Sequence, residues 1–523
     1  MTTLSGNRQA REEIDLYSPT PRLSTVRVLL HQAVENDWAA DVTDCSVAFL
    51  NSRLDKPLYC HLPAGRQEPG ARKKVMRCHK ALYGAREAPR MWHDLLHNWF
   101  VTEGYTTNPQ DPCLYSKWDD NGVPLHCLVH VDDVLIVGPQ DKSNHFKQEL
   151  SKAFDVTGGD PISKYLGMEF KRTDDGFEVT QKYITDNLLA RTGQLLANQS
   201  NEQVPMRAVR LDKTTSPVSD ENKAKWKEYP FRSILGAIGY IMLGIAPQLA
   251  HAYGQLARFN DCYGKQHWDA LLELLGYIRA NRDRDVFCIG RGAGNQLSCY
   301  TDADWNASYD SKSTTGWVCF LGSTPISWCS RLQKATSLST AQAEYISLSS
   351  AAQECAYLQM LMESLRSPTP VVRIVGKYRQ GDPDCTHEDN SKCKCGAVRI
   401  WCDSKNAVQE ANKPANWVSN QLRHIKTGYH FLRGYIQDGL FQLDHVPGDA
   451  NCADICTKGW GKGLPGTINQ RAQVWRKHAD FCLGKPSSHG VHGSSLGRCA
   501  DARHERDDGA SAKRRKLSAA ASL

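Results

Sequence analysis

No apolar run in this sequence is long enough to cross a bilayer. The longest, from Ile234 to Ala246, stops against Pro247, whereas a spanning helix needs about 20 such residues. The stretch therefore reads as a buried helix, and no membrane role is indicated. The N-terminus lacks the apolar centre of a secretory signal, since MTTLSGNRQAREEID is polar. The cysteines lack an even count: there are 19, scattered through apolar segments at positions such as Cys127, Cys319 and Cys355. They read as reduced thiols of a cytoplasmic or nuclear protein, not as a disulfide framework. Internal repeats are missing too, which sets aside solenoid architectures. A large charge of one sign is also lacking. The formal net charge of +7 is a mild excess, compatible with a polyanionic partner without requiring one.

With 523 residues the chain exceeds what one core usually serves, so two or three domains are expected. Hydrophobic residues at 41% and charged residues at 23% are ordinary for a globular protein. The first 160 or so residues mix short apolar runs with amphipathic stretches, an α+β texture. A polar stretch from Gln194 to Glu228, containing Pro205 and Pro217, reads as a linker or loosely packed subdomain. From Tyr229 to Ile278 the pattern is helical, with Trp268, Leu271, Leu272, Leu275 and Ile278 at three- and four-residue steps. An alternating segment opens near Leu297 and continues to about Trp460. The final polar stretch loses periodicity and is expected to be disordered.

Two acidic segments stand out in the first part. In LHCLVHVDDVLIVG, residues 125–138, two strand-like runs are separated by Asp132 and Asp133, which is hairpin spacing. Neither residue supplies the positive φ that Gly or Asn brings to such turns, and adjacent like charges repel. An isolated pair would be an exposed turn. A hairpin tip bearing two carboxylates also suits a divalent-metal platform, because hard oxygen ligands are what Mg²⁺ prefers. Upstream, WAADVTDCSVAFLN ends a second strand at Asp44, five residues before Phe49, with Asp41 as the rival acid. Phosphoryl transfer with two metals needs carboxylates converging from neighbouring strands.

These segments resemble the reverse transcriptase of copia-type retrotransposons. YSPTPRLSTVRVLL (17–30), AFLN, ALYGAREAPRMW (81–92), VDDVLIVG (131–138) and KYLGMEF (164–170) follow that family in order. The resemblance implies that Asp44, Asp132 and Asp133 hold metal. It places Phe49 beneath the sugar of the incoming nucleotide, and Gly84 and Pro89 in the loop facing template and nucleotide. Three departures favour a rival reading. His130 stands where the family has Tyr, Glu87 replaces a Gln, and the chain begins just before YSPTPRL, without the basic finger strands, as an N-terminally truncated segment would.

Downstream lies a second acidic set. CYTDADW reads as a strand carrying Asp302, with Asp304 beside it as a structural acid. From Ser339, STAQAEYISLSSAAQECAYLQMLMESL reads as a helix with Ser339 as N-cap and Gln342 completing a capping box. Glu344 falls on its apolar stripe of Leu348, Ala351, Cys355, Leu358 and Met362. An inward carboxylate is costly unless paired or metal-bound, though a Glu near a helix start is also favoured by the dipole. IWCDSKNAV ends a strand at Asp403, and HVPGDANCADICTKG places Asp454 at a helix start. YTDADW, CDSKNAV, LRHIKTGYHFLR and ADICTKG resemble the copia-type ribonuclease H in sequence and order. The resemblance implies that Asp302, Glu344, Asp403 and Asp454 hold two Mg²⁺ ions, with Mn²⁺ as a substitute. The His that many such enzymes carry before the last acid is replaced by Asp449, with His445 nearby but offset.

Weaker signals remain. CTHEDNSKCKCG offers Cys385, His387, Cys393 and Cys395 as zinc ligands, but the spacing fits no standard module and a solvated loop is preferred. AKRRKL near the C-terminus is a basic run compatible with nuclear import. QLRHIKTGYHFLRGY displays Arg423, Lys426 and Arg433, either along a hybrid backbone or as the solvated face of a core helix.

The fold expected is α+β. Residues 1–193 form a reverse-transcriptase palm with partial fingers, and 194–290 a thumb-like or connection region. Residues 291–465 form an α/β ribonuclease H-like domain with a mixed five-stranded sheet and an insertion at 366–397, and 466–523 a disordered basic tail. The resemblance implies an RNA-directed DNA polymerase that also degrades RNA in RNA–DNA hybrids. Its partners would be an RNA template, a DNA primer, deoxynucleoside triphosphates and other retroelement proteins such as integrase, whose own motifs are absent here, as are those of protease and nucleocapsid. The alternative is a catalytically impaired remnant that only binds nucleic acid.

Overall fold

The computed structural model describes residues 16–62, 75–202, 204–207, 211–283, 287–290, 295–305, 310–366, 397–414 and 430–459. None of its helices is long and apolar enough to cross a membrane among these residues. Helix α1 (Leu23–Glu35) is enclosed nearly all round: Val26, Leu29, Leu30 and Ala33 have no exposed surface, and Thr25, Arg27 and His31 are buried with them. A helix covered on every side belongs inside a core.

The chain then builds a six-stranded antiparallel sheet. Its strands are β1 (Ala39–Cys45), β4 (Thr106–Thr107), β5 (Leu114–Trp118), β6 (Pro124–His130), β7 (Asp133–Gly138) and β8 (Val156–Pro161), in the order β4-β5-β6-β7-β1-β8. A short helix α2 (Ala48–Asn51) and a separate hairpin of β2 (Arg53–His61) and β3 (Val75–Lys80) follow β1. Helices α3 (Ala88–Thr102) and α4 (Gln140–Ala153) cover one face of the sheet. Period-two alternation divides β7 between two cores. Val134 and Ile136 join Trp92, Phe100 and Phe146 from α3 and α4, while Leu135 and Val137 join Val26 and Leu30 of α1. Both faces are therefore buried, which is why LVHVDDVLIVG reads as nearly continuous apolar sequence on either side of its acids.

A four-stranded sheet follows, in the order β12-β11-β10-β9, from β9 (Lys164–Tyr165), β10 (Met168–Thr173), β11 (Gly176–Thr180) and β12 (Phe287–Gly290). Between its last two strands lie α5 (Lys182–Thr192), α6 (Asp220–Lys227), α7 (Phe231–Gly244), α8 (Ala250–Ala257) and α9 (Lys265–Asn281). The helical pattern from Tyr229 to Ile278 thus becomes three helices, interrupted where Pro247 opens a 3-10 turn. Ile234, Leu235, Ile238 and Ile241 of the apolar run are buried in α7. The polar stretch before it is more tightly packed than its composition suggests, because Leu196, Met206 and Leu211 are buried in the main core.

The last unit is a mixed five-stranded sheet in the order β15-β14-β13-β16-β17. Its strands are β13 (Leu297–Asp304), β14 (Thr314–Leu321), β15 (Thr324–Leu332), β16 (Val398–Cys402) and β17 (Phe441–His445). The first three pair antiparallel; β16 and β17 run parallel to β13. Helix α10 (Thr340–Arg366) packs on β13 and β14, and α11 (Lys405–Ala411) and α12 (Phe431–Gln437) lie beside β16 and β17. The four zinc-ligand candidates, the AKRRKL run, Arg423 and Lys426 lie outside the described residues. Arg433 is not displayed to solvent as its helix pattern suggested. It is fully buried, 5.6 Å from the Tyr345 ring centre and 3.8 Å from Glu410.

One continuous core joins the first sheet, the helices and the last sheet. Arg27 of α1 stands at the junction. Its guanidinium donates to the Ile326 carbonyl of β15 at 2.9 Å and to the carbonyls of Leu243 and Gly244 at the end of α7, the latter at 2.7 Å. It also lies 4.0 Å from the Trp328 ring centre. Its charge is held by carbonyl dipoles, a helix C-terminus and an aromatic face.

Candidate active sites

The first site forms where β1 and β7 end together. Asp44 is directly opposite Asp133 in their ladder, and the Cys45 amide donates to the Asp132 carbonyl at 2.8 Å. The turn of the β6–β7 hairpin is Val131–Asp132, not Asp132–Asp133 as the apolar runs suggested: His130 and Asp133 already form a pair. Val131 has φ of +57°, a conformation a β-branched residue rarely adopts. Trp92 of α3 secures it, with the indole N–H donating to the Val131 carbonyl at 2.6 Å. Phe49 on α2 packs against Tyr83, ring centres 4.6 Å apart, and Gly84 follows with φ of +90°, where a Cβ would be strained.

Burial, then Asp132, hold Asp44 above the usual carboxylate range, while the Thr157 hydroxyl pulls the other way. Asp133 is pushed up to about 6 by burial, Asp132 and Asp44. Tyr83 is raised by burial and by the same two acids, Asp132 and Asp44. The rival Asp41 is engaged elsewhere: it accepts from Ser143 at 2.6 Å, Lys147 at 2.8 Å and Gln140 at 3.1 Å, all on α4. Its carboxylate is a structural anchor between strand and helix.

The second site draws on four separate elements. Asp302 lies on β13 and is fully buried; Glu344 is on the first turns of α10; Asp403 follows β16; Asp454 sits in a 3-10 turn, Cys452–Cys456. That turn is where a helix start was expected, and it approaches the sheet through a gap left by Gly316. A Cβ at Gly316 would lie 2.8 Å from Cys456 Cβ and closer still to Thr457. Asn451 fixes the turn by donating to the Thr301 carbonyl at 3.0 Å and accepting from the Ala453 amide at 3.1 Å. Ser347 ties α10 to the same strand, its hydroxyl donating to the Asp302 carbonyl at 2.7 Å. Ser339 caps α10 as expected, but Gln342 accepts from the Leu338 amide at 2.6 Å instead of closing a box on Ser339.

Two overlapping ligand sets result. Ligand atoms of Asp302, Asp403 and Asp454 lie within 4.8 Å of one another, as do those of Glu344, Cys402 and Asp403. Asp403 belongs to both. Among the described residues the remaining such group is Cys299, Cys319 and Cys355 in the core, and Asp44, Asp132 and Asp133 do not close to that distance. Glu344 is driven well above the usual range by burial, then by Asp302 and Asp403. Asp403 is raised by burial and Asp302, against the opposing pull of Lys458 and Asn451. The carboxylate oxygens of Asp302, Asp403 and Asp454, crowded in a largely buried site, fit a divalent cation, while the second set adds the Cys402 sulfur to the two acids Glu344 and Asp403.

Comparison with known proteins points to retrotransposon Pol proteins. A family model described as reverse transcriptase (RNA-dependent DNA polymerase) matches residues 4–208. The chain is 29% identical over 450 residues to the retrovirus-related Pol polyprotein from transposon TNT 1-94 of Nicotiana tabacum, covering 85% of this chain and 31% of that protein. It is 28% identical over 458 residues to the corresponding polyprotein from transposon RE2 of Arabidopsis thaliana, covering 86% of this chain and 29% of that one. The chain belongs to the copia-type retrotransposon Pol family. It spans under a third of the length of these relatives. Among solved structures, RNase H1 of Halobacterium salinarum NRC-1 overlays 30% of this chain and 90% of its own at 15% identity, with a TM-score of 0.18. That likeness is slight, and the architecture of this Pol segment rests on its own strand order.

Several residues of the Pol segment at these sites escaped the sequence reading. Lys458 donates to Asp302 at 3.1 Å and to Asp454 at 2.6 Å. Burial pulls its ammonium down, but Asp302 and Asp454 more than offset that, and its pKa is raised. Thr457 donates its hydroxyl to the Asp302 carboxylate. The spacing of Asp454 and Lys458, four residues apart, was the available signal. Tyr83 and Trp92 lay within ALYGAREAPRMW but carried no mark of proximity to the acids. His445 donates toward the Asp403 carbonyl at 3.1 Å, not toward a carboxylate.

Proposed function

We propose that this chain is the polymerase and ribonuclease H portion of a retrotransposon Pol protein. It would extend a DNA primer on an RNA template from deoxynucleoside triphosphates and degrade the RNA strand of the resulting hybrid. The observation that carries the reading is the convergence of Asp302, Glu344, Asp403 and Asp454 from four elements into two ligand sets sharing Asp403. Mg²⁺ or Mn²⁺, when bound, would activate water and stabilise the leaving oxygen at the RNA phosphate. Asp403, common to both sets, would hold an ion with Asp302 and Asp454 in one and with Glu344, beside Cys402, in the other. Thr457, Asn451 and Ser347 would orient these acids by the hydrogen bonds described above. In the first half, Asp44, Asp132 and Asp133 would hold the ions for nucleotide transfer, with Phe49 against the sugar.

A second reading applies to the first half alone. There the acids do not approach within ligand distance as a set; Glu87 adds negative charge at the start of α3, and burial lowers the pKa of His130 beside them. These features favour a polymerase half that binds nucleic acid with little or no synthesis.

Cleavage of a labelled RNA–DNA hybrid by the whole chain in Mg²⁺, beside Asp403→Asn, tests the main reading. The substitution is expected to lower the rate on the order of 10³-fold or more, the equivalent of several kcal/mol of charge stabilisation. Absence of cleavage by folded protein in either metal would overturn it. Primer extension, with Asp132→Asn as control, decides between the readings of the first half.

A further inference from the structure

Lys458 enters the second site from the edge of the 3-10 turn. Its ammonium lies 3.1 Å from Asp302 and 2.6 Å from Asp454, with the side chain only 26% exposed. Two of the three acids in one ligand set are therefore already paired to a cation that belongs to the chain. A divalent ion and Lys458 would draw on the same carboxylates. One ammonium cannot neutralise four carboxylates, yet with two divalent ions it would over-neutralise them, unless an anionic phosphodiester is also present. Breaking a buried pair by removing one partner leaves uncompensated charge, so the protein without metal depends on this lysine.

We propose that Lys458 is a positioning residue acting as a resident counter-ion. It holds Asp302 and Asp454 together in the metal-free protein and weakens divalent-ion binding until an RNA phosphate enters. Its effect falls on the Asp302–Asp403–Asp454 set and leaves Glu344 to the other. Lys458 thus makes ion loading dependent on substrate, and free protein carries less bound metal than its four acids would otherwise retain. The proposal rests on the two-ion reading of this site given above.

The test is Mn²⁺ binding to the whole chain, read from the paramagnetic resonance of free Mn²⁺, for wild type, Lys458→Ala, Lys458→Met, Lys458→Arg and Asp403→Asn. Melting temperature is recorded in chelator and in Mn²⁺. Loss of the ammonium is expected to tighten Mn²⁺ binding about tenfold in the Ala and Met variants. Lys458→Arg keeps the wild-type constant. In chelator the Ala and Met variants melt lower than wild type, and Mn²⁺ restores them. A lysine that merely supported the fold would weaken metal binding when removed, so equal or weaker binding in both variants overturns the proposal while leaving the two-ion reading intact. Binding by none of the proteins, with Asp403→Asn indistinguishable from wild type, overturns both.

Discussion

Glu344 illustrates how a residue can oppose the stability of its own fold. Burial and the neighbouring Asp302 and Asp403 raise its pKa well above the usual range. A carboxyl whose pKa is raised on folding favours the fold when protonated, and that contribution is lost as pH rises from the unfolded value through the folded one. Glu344→Gln removes the charge at nearly constant volume. In chelator at neutral pH it is expected to stabilise the protein by about 1–3 kcal/mol while abolishing hybrid cleavage; denaturant melts beside the cleavage assay check both. Asp133 obeys the same sign with a defined window. Its folded value is about 6 against an ordinary 3.8, so the metal-free fold loses stability as pH climbs through that interval. Asp133→Asn should flatten the decline, as a series of melts between those pH values would reveal. The acids themselves were legible because each sits in an ordered motif. Lys458 was not, since a lysine after a 3-10 turn resembles any surface cation until the turn is placed against β13.

Among the elements, the 3-10 turn Cys452–Cys456 is the one whose position decides the second site. It reaches Asp302 because β14 offers no side chain at Gly316. Gly316→Val is expected to push the turn away, destabilise the protein by about 1–3 kcal/mol, and cost nuclease activity far more than that loss of stability accounts for; a melting curve and a cleavage rate measured together separate the two effects. Helix α10 was readable from its stripe, and Leu348, Ala351, Cys355 and Leu358 are all fully buried. The β6–β7 hairpin was readable as a hairpin but not in its turn. Periodicity marked where the apolar runs stop, whereas the ladder continues through Asp133 because Asp44 of β1 pairs with it. Val131 then takes the left-handed position that sequence rules reserve for Gly or Asn.

Across the whole molecule, α1 and Arg27 bind the first and last sheets into one core. Arg27→Met leaves the carbonyls of Leu243, Gly244 and Ile326 without their donor, and a cost of about 3–5 kcal/mol is expected for breaking so buried an arrangement. Calorimetry should show a single transition for wild type and, for the variant, a lower first transition that separates the two sheets. Nothing in STVRVLLHQAV announced this role. Arginine inside an apolar helix signals burial only when the carbonyls that will receive it are known, and these come from positions more than 200 residues away.

The order of the acidic motifs, the alternation of the strands and the stripe of α10 were set by the sequence, because each is a local pattern of residue type and spacing. Family membership followed from the same patterns. Which acids meet, and which cation meets them, was decided only by the tertiary structure. The contacts of Asp302 with Thr457 and Lys458, of Glu344 with Cys402, and of Arg27 with Ile326 join residues far apart in the chain. Long-range electrostatics and desolvation depend on that folding, and no local pattern encodes them.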